Sequence, residues 1–388
     1  MQKYKVPKGM LDYPPDACYV KNAVEEKILG VFKSNGYERV ETPGIEYHNV
    51  FSYNDVFPLE GAFKMSDTDG SLIILRPDMT MPLARLVSTK MNPVLPLKLC
   101  YIGNSFSLLE REARYREFTQ AGLELIGEGS YLADAEAVIL AVESLKAAGL
   151  DDFLIELGNT EFFRGLIEEC GLGKREEEEL IKNVDKKNNY SITETLKKAG
   201  ASKELTAAAA EFPTLFGEGA IKRAFGLTAN KRSGRALDEL EKLFGLLTAL
   251  GYEKYVSVDL GLMNSMNFYT GTVFQGISRY FGAAILSGGR YDKLYTLQGS
   301  SQNIPATGFA IGIKNLLTAL ERSGKTYKKP VIDYVIGGHK RLAGKAFERA
   351  AELTRAGYTA SCTFITDEKK LKEYAENAGA KNIIFIDK

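Results

Sequence analysis

Short strand-like segments recur along most of the chain, and one long stretch without strands interrupts them. Apolar, β-branched and aromatic residues mark such segments at 37–43, 71–77, 95–103, 118–125, 153–159, 255–262, 269–277 and 282–287. Residues 160–250 are instead rich in Ala, Glu, Lys and Leu. This order predicts an α+β domain built on a sheet, with a helical insertion at about 160–250.

Helical spacing of apolar residues marks two further elements of this domain. Val20, Val24, Ile28, Val31 and Phe32 recur at helical spacing in a helix predicted at 17–35, and Gly36 follows it. A second helix is predicted at 134–148, with Gly149 beyond its end. Both helices therefore have one apolar face to place against the sheet.

The end of the chain changes to a regular alternation of strands and helices. Strand-like segments at 331–338, 358–365 and 382–386 alternate with helical patterns at 343–356 and 367–379. The polar segment at 325–330 precedes them. We therefore predict two domains, at 1–325 and 329–388, the second a small α/β module.

Charge and cysteine content restrict the possible ligands. The formal net charge is +0, whereas proteins dedicated to nucleic acids usually carry a basic excess, so binding to nucleic acid is not expected. The chain has four Cys and two His, with no Cys-x-x-Cys pair, so neither a metal nor a cofactor is predicted. The polar start and the lack of a long apolar run predict a cytoplasmic protein without a membrane span.

The strand at 118–125 has one polar face. Because side chains alternate along a strand, Gln120, Gly122 and Glu124 share a side, and Ala121 and Leu123 point to the other. The Gln120 amide, the space left by the missing side chain of Gly122 and the Glu124 carboxylate could form the floor of a site for a small polar ligand. The alternative is a half-solvated strand whose polar face meets water.

Four other segments favour a ligand site over a solvated face. Arg76–Thr80 places an acid and a hydroxyl at the exit of a strand, and Asn267–Phe274 is an aromatic strand start. Ser287–Asp292 is predicted to be a tight glycine turn that carries Tyr291, and Pro305–Ile313 is a glycine-spaced passage from strand to helix.

Together and in this order, these segments resemble the histidyl-tRNA synthetases over residues 1–325. The resemblance places the three class II motifs around 36–43, 101–127 and 308–313. It implies a class II aminoacyl-tRNA-synthetase-like fold, an antiparallel sheet flanked by helices, which forms a homodimer through the first motif.

The resemblance also implies a histidine pocket. Asp78 stands where the synthetases have a glutamate that grips the α-amino group, and Thr80 and Gln120 support that end. Glu124, Tyr269 and Tyr291 would face the imidazole. Carboxylates suit both an ammonium group and an imidazole N–H.

The arginines that synthetases use on ATP are not matched. At their positions stand Ser107, Asn264 and Asn315, which are neutral and lack the guanidinium fork. Loss of one preorganised donor costs about 10²–10³ in rate. No catalytic residue is therefore predicted, unless a neighbouring arginine such as Arg116 replaces those that are missing.

A retained histidine pocket without ATP activation resembles a family of synthetase paralogues, the regulatory subunits of ATP phosphoribosyltransferase. The tail is also shorter than an anticodon-binding domain, with ten Lys/Arg and eight Asp/Glu over 331–388. The resemblance implies a short-form catalytic subunit as partner, a hetero-octamer, and histidine as allosteric effector. The alternatives are an active histidyl-tRNA synthetase and a non-catalytic tRNA-binding paralogue.

Overall fold

A computed structural model describes residues 5–52, 59–91, 93–108, 115–168, 172–263, 269–296 and 303–388. Two compact units are present, residues 1–326 and 327–388. The helices are α1 Pro15–Ser34, α2 His48–Ser52, α3 Thr80–Lys90, α4 Tyr131–Ala147, α5 Thr160–Glu168, α6 Lys174–Asp185, α7 Asn189–Lys198, α8 Lys203–Glu211, α9 Ala220–Phe225, α10 Lys231–Ala249, α11 Ile313–Arg322, α12 Ala343–Arg355 and α13 Glu368–Asn377. The strands are β1 Glu38–Arg39, β2 Ile45–Tyr47, β3 Lys64–Ser66, β4 Leu72–Leu75, β5 Leu97–Phe106, β6 Glu117–Ile126, β7 Leu154–Asn159, β8 Val256–Val258, β9 Thr272–Ser278, β10 Phe281–Arg290, β11 Tyr295–Thr296, β12 Asn303–Ile304, β13 Ala306–Gly312, β14 Tyr334–Gly338, β15 Ala360–Cys362 and β16 Asn382–Ile386.

An eight-stranded sheet organises the first unit, in the order β1-β5-β6-β13-β10-β9-β7-β8. The six central strands pair antiparallel, and only the outer pairs β1·β5 and β7·β8 are parallel. The predicted antiparallel sheet flanked by helices is thus confirmed. Strands 118–125 and 306–312, nearly two hundred residues apart in the chain, become direct neighbours in it.

Apolar helix faces cover this sheet. Val24, Ile28 and Phe32 are fully buried along α1, as their spacing predicts. The Phe32 ring meets the Phe309 ring of β13 edge-on, with centroids 5.9 Å apart. This contact fixes α1 on the face of the sheet that lies opposite Gly308.

Helices α5 to α10 lie within residues 160–250. Leu237, Leu240 and Leu243 form a fully buried face of α10. The Phe162 and Phe212 rings stack with centroids 5.0 Å apart, joining α5 to the turn after α8. The contact between Phe162 and Phe212 therefore packs two parts of this helical stretch against each other.

The predicted glycine turn at 287–292 is wrong. Residues 281–290 are the continuous strand β10, with Gly288 opposite Phe309 and Gly289 opposite Gly308. A Cβ at Gly288 would lie 2.6 Å from the Phe274 ring. These glycines therefore serve close packing rather than a change of chain direction.

The second unit is a three-stranded parallel sheet in the order β15-β14-β16, with α12 and α13. Val335 of the central strand packs with Leu371 of α13, and Ile336 packs with Leu353 of α12. The central strand is thus buried from both faces. No described helix in either unit is long and apolar enough to cross a membrane.

Candidate functional site

The site lies over a row of glycines in the centre of the main sheet. Glu124 on β6 pairs with Gly308 on β13, which pairs with Gly289 on β10. A Cβ at Gly308 would collide with Glu124 Oε2 and with the Leu123 carbonyl oxygen. Glycine at 308 therefore provides the space in which the Glu124 side chain lies.

Glu124 is a buried carboxylate with one oxygen left unbonded. It is 1% exposed, and the Thr80 hydroxyl donates to Oε1 over 3.1 Å. Among the described residues, Oε2 has no hydrogen-bond partner. Burial, followed by the nearby Asp78 charge, raises the pKa of Glu124 well above its ordinary value. The alternative of a half-solvated strand is therefore wrong at Glu124, because this side chain is buried.

Asp78 and Thr80 both belong to the start of α3. Thr80 is the first residue of the helix and directs its hydroxyl to Glu124. Asp78 Oδ1 accepts the backbone N–H of Met81 over 3.0 Å, so Asp78 caps the helix in addition to facing the pocket. Burial also raises the pKa of Asp78, although the backbone N–H groups oppose that shift.

Tyrosine rings wall the pocket. Tyr269 and Tyr291 are 4% and 2% exposed, and their rings meet at a steep angle with centroids 6.3 Å apart. The Tyr291 hydroxyl lies 2.9 Å from the place of a Cβ at Gly308. Both predicted tyrosines therefore lie next to Gly289 and Gly308, the glycines beside Glu124 in the sheet.

Two further tyrosines, Tyr101 and Tyr295, were missed by sequence reasoning. Tyr101 faces Gly122 in register, and its ring lies where a Cβ at 122 would stand, 2.5 Å away. Tyr295 is fully buried in the same cluster of side chains as Tyr101 and Tyr269. Tyr101 could have been found from its place on a strand facing 118–125, whereas the sequence gives no signal for Tyr295.

Gln120 lies on the predicted face of β6, four residues before Glu124 along the strand. Its Oε1 accepts a hydrogen bond from the buried Ser105 hydroxyl on β5 over 2.9 Å. The side chain is partly exposed, unlike that of Glu124. Gln120 is therefore the member of this polar face that reaches solvent.

A buried ion pair supports the wall that carries Tyr291. Arg290 donates from Nη2 and Nε to the two Asp134 oxygens over 2.9 and 3.2 Å. Its Nη1 reaches Asp292 Oδ1 over 3.3 Å, and Asp292 Oδ1 also accepts the Ala306 N–H. This fork ties the ends of β10 and β13 to α4.

The three positions compared with synthetase arginines differ in their surroundings. Ser107 follows β5 and its N–H donates to the Arg116 carbonyl oxygen over 2.9 Å. Asn315 Nδ2 donates to the Ala284 carbonyl oxygen over 3.0 Å, which ties α11 to β10. Asn264 lies outside the described residues.

Comparison with known proteins assigns the family. A histidyl-tRNA synthetase family model matches residues 9–316. The chain is 39% identical over 363 residues to the ATP phosphoribosyltransferase regulatory subunit of Acetivibrio thermocellus, covering 92% of this chain and 86% of that protein. It is 37% identical over 393 residues to the same subunit of Ruminiclostridium cellulolyticum, covering 100% of this chain and 93% of that protein.

Solved structures give the same result. An ATP phosphoribosyltransferase regulatory subunit/histidyl-tRNA synthetase from Bacillus halodurans superposes with a TM-score of 0.86 at 29% identity, covering 100% of this chain and 99% of that one. The histidyl-tRNA synthetase from Nostoc sp. PCC 7120 shares the fold, with a TM-score of 0.79 at 21% identity, covering 98% of this chain and 90% of that one. These findings confirm the resemblance drawn from the motifs. The chain belongs to the family of ATP phosphoribosyltransferase regulatory subunits, which have the class II fold of the histidyl-tRNA synthetases.

Proposed function

We propose that this chain is a non-catalytic regulatory subunit, required by a short-form ATP phosphoribosyltransferase catalytic subunit in the first step of histidine biosynthesis. We further propose that histidine binds in the pocket around Glu124 and inhibits the complex. Relatives that share over a third of their residues with nearly the whole chain are named as such regulatory subunits. Their names support the regulatory role, and the chemistry of the pocket supports histidine.

The ligand assignment rests on a buried carboxylate, Glu124, to which the described residues supply no cation. Glu124 Oε2 has no partner within the described residues, and Thr80 supplies only a neutral hydroxyl to Oε1. Asp78 adds a second negative group to the same pocket. A ligand that brings an ammonium group and an N–H donor, as histidine does, satisfies both.

Regulation requires that histidine distinguish two arrangements of the complex. A ligand shifts an equilibrium only by its difference in affinity for the two states. The ammonium group of histidine offsets buried negative charge on binding, so histidine favours the arrangement in which the pocket is closed around it. In this proposal the chains form a homodimer through the motif at 36–43 and join the catalytic subunit in a cytoplasmic hetero-octamer.

The test is reconstitution with the short catalytic subunit. We expect phosphoribosyl transfer that depends on this chain and is inhibited by histidine. Glu124→Ala should weaken the inhibition while the complex still assembles, as judged by light scattering. The matched control is Glu156→Ala on β7, a partly buried carboxylate that bonds to Gln275 and is separated from β6 by three strands.

Two outcomes would refute the proposal. If Glu124→Ala leaves histidine inhibition unchanged, the pocket is not the histidine site. If the purified chain alone catalyses histidine-dependent ATP–pyrophosphate exchange, it is an active synthetase and Ser107 and Asn315 do not mark a lost activity. Salt-sensitive tRNA binding would instead indicate the RNA-binding paralogue.

A further inference from the structure

Tyr295 is held beside Tyr291 by a pair of short strands that the motifs do not include. It lies on β11, which pairs with β12 through Tyr295 and Ile304. Its ring is fully buried beside that of Tyr291, with centroids 6.1 Å apart and an angle of 32° between the planes. Met79 and Tyr101 belong to the same buried cluster. This strand pair therefore packs Tyr295 against the start of α3 and the tyrosines of the site.

The Tyr295 hydroxyl and Glu124 Oε2 are both buried and have no hydrogen-bond partner among the residues that the structure describes. Buried polar atoms in folded proteins are almost always hydrogen-bonded, because leaving them unbonded destabilises the fold. Two such atoms in one pocket indicate that an occupant supplies the missing bonds.

The Tyr295 ring lies next to the Tyr291 ring, and the Tyr291 hydroxyl reaches the space over Gly308 that also holds Glu124 Oε2. Burial, and next the Glu124 carboxylate, raise the pKa of Tyr295 well above its ordinary value. The hydroxyl is therefore neutral and keeps its proton. It can donate to a lone pair, which the carboxylate cannot do. Glu124 Oε2 can thus accept a hydrogen bond from a ligand, and the Tyr295 hydroxyl can donate one.

We propose that Tyr295 is a direct ligand contact that donates to an unprotonated ring nitrogen, while Glu124 Oε2 accepts an N–H from the other side of the ring. A neutral imidazole offers this combination, one donor and one acceptor nitrogen. The inference rests on the proposed function and extends it, because it assigns the ring-recognising pair and the charge state of the ring.

Isothermal titration of the purified chain with L-histidine tests the proposal. Tyr295→Phe removes only the hydroxyl, and we expect the Kd to rise about tenfold, as for loss of one hydrogen bond. The affinity for 3-(2-thienyl)-L-alanine, whose ring has no nitrogen, should be the same in wild type and variant. A site that bonds to a polar ligand group discriminates through that group.

A second measurement separates ligand contact from a structural role. Because its hydroxyl has no hydrogen-bond partner among the described residues, Tyr295→Phe should leave the melting temperature of the unliganded chain unchanged or raise it. The control, Tyr252→Phe, removes a hydroxyl that donates to Glu143 over 3.2 Å. This change should lower the melting temperature by about 1–2 °C and leave the Kd for histidine unchanged.

The outcomes are distinct. If wild type binds histidine and Tyr295→Phe binds it equally well, the inference is wrong and the proposed function stands. An equal loss of thienylalanine affinity, or a fall in melting temperature like that of the control, would show that the hydroxyl acts on the shape of the fold. If wild type does not bind histidine, both proposals fail.

Discussion

Replacing Arg290 by Met should cause a large loss of stability, because its partner is buried. The Arg290 and Asp134 side chains are 7% and 4% exposed and share two hydrogen bonds. Arg290 also donates to the carbonyl oxygens of Glu128 and Ser130, over 3.2 and 2.8 Å. Met fills most of the volume but leaves the Asp134 carboxylate without its cation.

The magnitude follows from this geometry. Breaking a buried ion pair by removing one partner costs about 3–5 kcal/mol, because the other charge is left uncompensated. Asp292 adds less, since its side chain is 37% exposed. The double variant Arg290→Met with Asp134→Leu removes both charges, so it should recover most of the loss.

Urea unfolding followed by far-ultraviolet circular dichroism measures these differences, and tyrosine fluorescence gives a second probe because the chain has no Trp. Histidine titration on the same samples should show weaker binding for Arg290→Met, because Tyr291 follows directly. A loss below about 1.5 kcal/mol, or a double variant whose loss equals the sum of the single ones, would refute the buried-pair argument.

Three further substitutions or treatments test the pocket and the core. Glu124→Gln should weaken histidine binding about 10–100-fold, the value of a hydrogen bond to a charged group. The unliganded variant should nevertheless be more stable than wild type. Folding raises the pKa of Glu124, so wild type loses stability as the pH rises above 4.5, and the advantage of the variant should grow with pH. Thermal melts from pH 5 to 8 check the sign; an advantage that shrinks with pH would contradict it. Gly308→Ala should cost about 1–3 kcal/mol and abolish histidine binding, since its Cβ meets the Leu123 carbonyl, whereas Gly282→Ala, with open space around it, should do neither. Cys100, whose pKa is raised to about 11 by burial, should resist iodoacetamide at pH 8 in the native protein and react after unfolding, as read by peptide mass spectrometry; rapid native labelling would show that β5 opens.

Periodicity was sufficient for elements whose burial repeats along the sequence. The face of α1 with Val24, Ile28 and Phe32 and the polar row of β6 follow from spacing alone. Short elements were less predictable: the strand expected at 37–43 is only Glu38–Arg39. β4 falls within the strand expected at 71–77, but its partners β2 and β3 and the helix α3 were not foreseen. Their few residues carry too little repetition to indicate which side is buried.

Glycines gave the clearest limit on local reasoning. Gly288 and Gly289 read as a turn, because glycine permits turns wherever it occurs. In the sheet they are the points where Phe274 and Tyr269 approach the backbone of β10. The sequence records the absence of a side chain, but only the neighbouring strands show what fills the space.

The sequence by itself determined the family and the sheet with its flanking helices, and it proposed Asp78, Thr80, Glu124 and Tyr291 as members of one site. Tertiary structure alone decided that Asp78 also bonds to the first turn of α3, that Glu124 is buried, and that Tyr295 lies beside Tyr291. The physical reason is that residue type and spacing fix which groups a strand presents, whereas burial and unmet hydrogen bonds depend on contacts between segments distant in the chain.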